Sequence, residues 1–390
     1  MITEMEIVPI WSSLGNRSVK VVVKTENGIF SSSSPTFLNG EKYCPNDLEV
    51  NQAIKKFHEI KKEFIGMDEH SYDIVDDKIK KIGYGNIGAA VAACISKVCV
   101  KAGSNGNGYK LLNPEAFEFP IPMASIVSGG VHGGYSSIRN FFVIPRARTL
   151  YECLDENYSF WKDIGKLMKD RGVILSRSSE GSWISNFTDL KTLDFLSHYT
   201  GQKNLGLGID FGGSQLYHKG RYIYEKIGQK FDTGEQIEFV KEMVRKYNIT
   251  YIQDPFHPND FDAFVELKKR LQGTLVVGDE LYSSQIGRLK KGITMKATGG
   301  AVVKIEKAGS VSAAIRFMDN CKDSGQVKII SDRVEETEDG FLADLAVGGR
   351  ADVFRYGISG SEHVAKINRL LEIWFDVASR KQPEMADIRI

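Results

Sequence analysis

Charged and amide residues stand at the ends of short apolar runs through the second half of the chain. They are Asp210 in LGLGIDF, Gln253 and Asp254 in ITYIQDPF, Asp279 and Glu280 in TLVVGDE, Lys304 in AVVKIEK, Asp332 and Arg333 in VKIISDR, and Arg355 in ADVFRYG. Glu180, in SRSSEGSW after the run GVIL, adds another acid. Asp210 and Asp279 offer the oxygens that a hard divalent cation prefers. A lysine facing such an ion has its charged form disfavoured, which suits Lys304 to take a proton. Arg333 and Arg355 carry forked donors for a phosphate and a carboxylate. One polar residue at a strand tip needs no explanation beyond solvent, but a series at successive tips points to a shared mouth. Metal, lysine base and anion clamps together suit removal of a proton next to a carboxylate.

The elements that must position these groups follow from periodicity. After about Phe119, apolar runs alternate with amphipathic segments. A helix from Thr233, with Gln236 as the partner of a capping box, places Ile237, Val240 and Val244 on one side. Further helices are expected from Asn259 and through Ala313–Met318. Serial strand–helix units imply parallel strands, and this many in about 270 residues imply a closed (β/α) barrel. The first part reads differently. Residues 7–30 suggest two strands with a turn at ENG (26–28), and 31–46 a polar loop. Helices follow from Ala53, with Gly66 as a stop, and over Ala89–Val100, while 103–112 reads as a linker.

Composition narrows the class. The 390 residues are 42% hydrophobic and 26% charged, with 51 basic and 50 acidic side chains. A net charge of +1 gives no reason to expect nucleic acid or an anionic membrane as a partner. No apolar run approaches the roughly 20 residues of a membrane span, and MITEMEIVPI lacks the pattern of a signal peptide. Five cysteines without a C-x-x-C pair suggest a reducing cytoplasm rather than a disulfide or zinc framework.

The chain resembles the enolase family over essentially its whole length. LGNRSVKVVVKTENG, FPIPMASIVSGGVHGG, LGIDFGGSQLY, ITYIQDPF, VVGDELYSS, VVKIEKAGS and SDRVEETEDGFLADLAVG carry the resemblance in order. It implies an α/β fold, an enolase-type (β/α)8 barrel over 119–390 behind an N-terminal α+β capping domain over 1–118. It implies Mg²⁺ as cofactor, with Asp210 and Asp279 as two of three metal carboxylates. Lys304 matches the base that removes the C2 proton, and Glu180 the acid that assists departure of the C3 hydroxyl. His132 matches a loop histidine near the substrate, and Arg333 a phosphate-binding arginine. A homo-oligomer, most simply a dimer, is expected.

The departures from the family pattern are specific. Gln253 stands in the place of the third metal carboxylate, and an amide oxygen there would bind the ion more weakly. Asn140 replaces a glutamate that partners the acid, which changes the charge around Glu180. Asp332 replaces a substrate-contacting histidine, Val334 a phosphate-binding serine, and Arg355 a lysine at the substrate carboxylate. The loop that helps to bind a second magnesium is rewritten as SPTFLNGEK. These changes imply a reshaped substrate, a small phosphorylated or phosphonate-bearing carboxylic acid. Three readings remain open: a diverged lyase, an enzyme similar to carboxyphosphonoenolpyruvate synthase, and a non-catalytic enolase-like binding protein.

Other signals carry less. GYGNIG (83–88) fits a dinucleotide fingerprint but follows the charged VDDKIKKI rather than a buried strand, so a helix-start turn is expected. Trp183 could line the pocket or pack, and Glu280 could support Asp279 or meet solvent. The histidines at 58, 70, 198, 218, 257 and 363 form no metal spacing.

Overall fold

The computed structural model describes residues 1–36 and 42–388. The chain opens with an antiparallel meander, β1 (Glu4–Trp11), β2 (Arg17–Thr25) and β3 (Gly28–Ser34), in that order. The ENG turn joins the second and third strands, so there are three strands where two were expected. The third takes residues 31–34 from the expected loop. Ser32, Ser33 and Ser34 can be buried in this strand because each of their hydroxyls finds a partner. Ser32 donates to Asp339, Ser33 to Thr337 at 2.9 Å, and Ser34 to Glu306 at 2.6 Å. Residues 37–41 of that loop, within SPTFLNGEK, lie outside the described residues.

Helix α1 (Val50–Ile60) starts ahead of Ala53 because the Glu49 carboxylate caps it, accepting from the Asn51 amide at 2.9 Å. It ends at Ile60, short of Gly66. After α2 (Tyr72–Ile82), GYGNIG forms the short helix α3 (Tyr84–Ile87), with Gly83 at φ +95° and Gly88 at φ +87° at its ends. No strand precedes it, as the sequence argued. Helix α4 (Ala89–Gly103) is buried nearly all round, which its small apolar residues allow. The expected linker instead contains α5 (Gly108–Leu112), whose Tyr109 amide donates to Asp344 at 3.1 Å.

Eight strands close the barrel: β4 (Ile121–Ser128), β5 (Asn140–Ile144), β6 (Gly206–Asp210), β7 (Ile249–Gln253), β8 (Leu275–Gly278), β9 (Gly300–Val303), β10 (Val327–Ser331) and β11 (Val353–Gly357). The ring closes where β11 pairs with β4, Gly357 opposite Ser125. The strands are not all parallel as expected, since β5 runs antiparallel to both β4 and β6. Only the 11 residues 129–139 join β4 to β5, without a crossover helix, so the chain must turn straight back. Met123, Phe142, Tyr251, Val277, Val302, Ile329 and Val353 fill the interior. Outside lie Leu150–Asp170, Thr233–Tyr247, Phe261–Arg270, Val311–Asp323 and Ser361–Ala378. The helix at 233 is capped by Asp232 and Glu235, a reciprocal box one residue ahead of the expected Thr233 and Gln236.

The run GVIL is not a ring strand. Ile174–Arg177 pairs antiparallel with Trp183–Ser185, and this hairpin attaches to β4 through Val127 and Trp183. No helix of the described residues is long and apolar enough to cross a membrane.

Candidate functional site

The barrel mouth opens into a cavity of about 580 Å³. Its walls include Asn140, Glu180, Asp279, Lys304, Asp332, Arg333 and Arg355, all named from the sequence. Arg139, Lys307 and Glu280 complete the lining, with Leu14 and Asn16 from the loop between β1 and β2 and Arg17 from the start of β2. That loop is tied to the segment after β10. The Ser13 amide donates to the Glu336 carbonyl at 2.9 Å, and Asn16 Nδ2 to Glu335 at 3.2 Å.

Most of these side chains, with buried Asp210 and Gln253 beneath them, are held at or next to a strand end. Asp210 ends β6 and is fully buried. Its Oδ1 accepts from the Gly212 amide at 3.0 Å. Both of its oxygens also accept from Arg139, from Nε and from Nη2, each at 2.9 Å. The other arm of Arg139 reaches Glu280 at 2.7 Å. Gly212 makes room for this fork: it has φ +61°, and a Cβ there would lie 3.2 Å from Arg139 Nε. Asp279 follows β8 and accepts from Lys304 at 2.7 Å and from Lys307 at 3.2 Å. Lys304 follows β9, and the single turn Ile305–Ala308 brings Lys307 round to the same carboxylate. Arg355, inside β11 rather than at its tip, places Nη1 3.5 Å from Asp210 and 3.9 Å from Asp279, and Nη2 3.8 Å from Glu180.

Gln253 ends β7 between the two acids. Its amide nitrogen donates to Asp210 at 3.1 Å and to Asp279 at 3.3 Å, while its oxygen accepts from the Tyr251 hydroxyl at 2.8 Å. Burial, working against ionisation, raises the Tyr251 pKa far above the usual phenol range and keeps it a donor. The opposite amide orientation would set an oxygen against two carboxylates. Asp254, with φ +42°, turns its carboxylate to the amides of Asp279 at 3.1 Å and Glu280 at 2.8 Å, fixing the loop that carries them.

The electrostatics follow from these pairs. Burial alone would raise the Asp279 pKa, but Lys304, Lys307 and Arg355 outweigh it and hold the carboxyl well below its usual range. Burial likewise opposes ionisation of Glu280, and Arg139 overrides it. Arg139 itself is driven further toward its cation by Asp210 and Glu280, against the cost of burial. The His132 pKa is lowered, by burial first, and its Nε2 is buried without a hydrogen-bond partner. Glu180 sits in the hairpin turn, 2% exposed, with Oε2 likewise unpartnered. Asn140 accepts from Ser125 at 3.1 Å and from Ser128, leaving its Nδ2 without a hydrogen-bond partner.

Asp332 lines the cavity, but its Oδ2 is taken by His363 at 2.6 Å and the Gly357 amide at 2.9 Å. The His363 ring also donates to the Ser179 carbonyl at 3.2 Å. Arg333 lies on the cavity wall beside Val334, which is 38% exposed and supplies no polar side-chain atom. Trp183 packs instead of lining the pocket, stacked on Trp161 with ring centroids 5.3 Å apart.

The donor set does not fit a magnesium ion as the resemblance implied. Mg²⁺ demands oxygen ligands at close, near-octahedral positions. Here Gln253 turns its nitrogen inward, Arg139 covers both oxygens of Asp210, and two lysines hold Asp279. Among the described residues, His, Cys and carboxylate ligand atoms gather in a group of three only at Asp68–Glu69–His70, where exposed Asp68 and His70 flank buried Glu69, which pairs with the N-terminal amine at 2.7 Å.

Comparison with known proteins agrees with the barrel. Residues 116–387 match the model of the enolase C-terminal TIM barrel domain. The chain is 29% identical over 383 residues to an enolase of Archaeoglobus fulgidus, covering 93% of this chain and 94% of that one. It is 30% identical over 344 residues to an enolase of Pyrobaculum aerophilum, covering 83% and 82%. An enolase of Thermoplasma acidophilum is 28% identical over 95% of this chain and 98% of its own. The family match spans every ring strand and all the residues that form the floor of the mouth, so the chain belongs to the enolase family.

Proposed function

We propose that this member of the family is a lyase that removes the proton next to a carboxylate and then expels a β-hydroxyl from a small phosphorylated or phosphonate-bearing acid. The observation that carries the reading is that Lys304, Glu180 and Arg355 line one cavity from three separate elements. Lys304 Nζ, once it has released its resting proton, accepts the C2 proton. The resulting ammonium is matched by Asp279, 2.7 Å away. The electron pair left at C2 forms the C2–C3 double bond as the C3–O bond breaks, and Glu180 gives the departing hydroxyl its proton, releasing water. Arg355 is placed to hold the substrate carboxylate, whose negative charge grows as the proton leaves. Arg17 and Arg333, at the rim, suit the phosphate or phosphonate. The Val334 side chain beside Arg333 offers that group no hydrogen bond, which favours a reshaped anion over 2-phosphoglycerate.

A non-catalytic binding protein would also keep this cavity for a ligand, so turnover chemistry is what separates the two readings. Proton exchange at C2 tests the reading directly. With 2-phosphoglycerate and phosphonate analogues in D₂O, the protein should wash deuterium into C2 of at least one substrate. Lys304→Ala should slow that exchange by about 10²–10⁴-fold. Exchange that survives Lys304→Ala unchanged would rule the mechanism out.

A further inference from the structure

We infer that Arg139 holds the place of the divalent cation, so that the site works on fixed protein charges and takes up no metal between Asp210 and Asp279. The inference rests on the lyase reading for its chemistry, but its geometry stands apart. Four carboxylates, Asp210, Asp279, Glu280 and Glu180, already face four cations, Arg139, Lys304, Lys307 and Arg355. A divalent ion entering such a neutral cluster gains little net attraction, while it must displace charge-assisted hydrogen bonds. Arg139 is built into this position. Its fork takes both oxygens of Asp210, Glu280 anchors the third nitrogen, and the backbone at Gly212 leaves the space it needs.

Gln253 completes the exchange. A carboxylate in its place would add a negative charge for a metal to neutralise. The amide adds none, and its nitrogen bridges the two acids as a weak substitute for an ion. Tyr251 locks that orientation from behind. An ion could use Gln253 only if the amide turned over, which would break its bonds to both carboxylates and to the phenol.

Under this inference the oxygen that gains charge when the proton leaves is met by Arg355 and Lys307 rather than by a metal. They take the part that oriented donors play at other sites of developing charge.

Binding of Mn²⁺, followed by the loss of the free-ion EPR signal, tests this without reference to turnover. The chelator-treated protein should leave Mn²⁺ free. The double variant Arg139→Gln/Gln253→Glu should bind one equivalent, at least about 100-fold more tightly. Gln253→Glu alone, which keeps Arg139, should gain no such site and guards against a double variant that does not fold. The inference is overturned if the native protein binds an equivalent of Mn²⁺ that Asp210→Asn abolishes. It is equally overturned if a folded double variant gains no Mn²⁺, or if Gln253→Glu alone gains it in full. Proton exchange in excess EDTA separates the two claims. Exchange that appears only after Mn²⁺ is added would refute the metal-free site and leave the lyase reading intact. Exchange in no condition, with Mn²⁺ binding as expected, would refute the lyase reading and leave the site intact.

Discussion

The pair formed by Asp332 and His363 sets a pH limit on the folded protein. Burial opposes charge on the imidazole, but Asp332 at 2.6 Å outweighs it and raises the His363 pKa from 6.5 to about 9. The folded state therefore holds a proton that the unfolded chain releases earlier. The stabilisation is complete below about pH 6.5 and is lost as pH rises through about 9. Urea unfolding followed from pH 6 to 10 should show a loss on the order of 3 kcal/mol. His363→Gln should remove that slope. His363 was passed over in the sequence because it has no metal spacing and opens a helix more than 30 residues from its partner. Lys307 was missed for a related reason. Its burial depends on one helical turn after Lys304, which reads in sequence as an ordinary solvated charge.

At the scale of elements, one strand direction decides what could be read. When strands are parallel, their C-terminal ends meet the mouth. That rule found Asp210, Gln253, Asp279, Lys304 and Asp332. Strand β5 runs the other way, so its beginning reaches the mouth, and Arg139 stands just ahead of it. Periodicity gives a strand without its direction, which is why Asn140 came from resemblance and Arg139 from neither source. Helix starts were legible to within about three residues, but the stop expected at Gly66 lay well beyond the end of α1 at Ile60. The box at Asp232 and Glu235 was displaced by one because Thr233 is also a capping type. Asp232→Ala should cost about 1 kcal/mol in urea unfolding, and Thr233→Ala much less.

Across the whole molecule, the N-terminal layer and the barrel are joined by buried charge. Lys97 on α4 reaches the Ser33 carbonyl at 2.6 Å and Glu306 at 3.7 Å, and Lys101 pairs with Asp339 at 2.9 Å. The Asp339 carboxyl meets the cost of burial, which Lys101 and Lys97 overcome, and its pKa falls far below the usual range. Its contribution is thus present above the ordinary acid range and is lost only at much lower pH. Lys97→Ala leaves acids buried without their cation and should destabilise the protein by about 3–5 kcal/mol, measured by urea unfolding. The broad architecture was legible because parallel units leave a repeating pattern. This seam was not, because its serines and charges look like surface until the two layers meet.

The hairpin that carries Glu180 also gives the protein an optical probe. Two of the four tryptophans, Trp161 and Trp183, lie face to face, with the Arg177 guanidinium 4.7 Å from each ring. The Trp161 indole donates to the carbonyl of Gly181, the residue next to Glu180. A ligand that drew Glu180 inward would pull on that bond and disturb the stack. Tryptophan emission should then shift as ligand is added, with Trp183→Phe abolishing most of the change, so occupancy of the mouth becomes readable without a label.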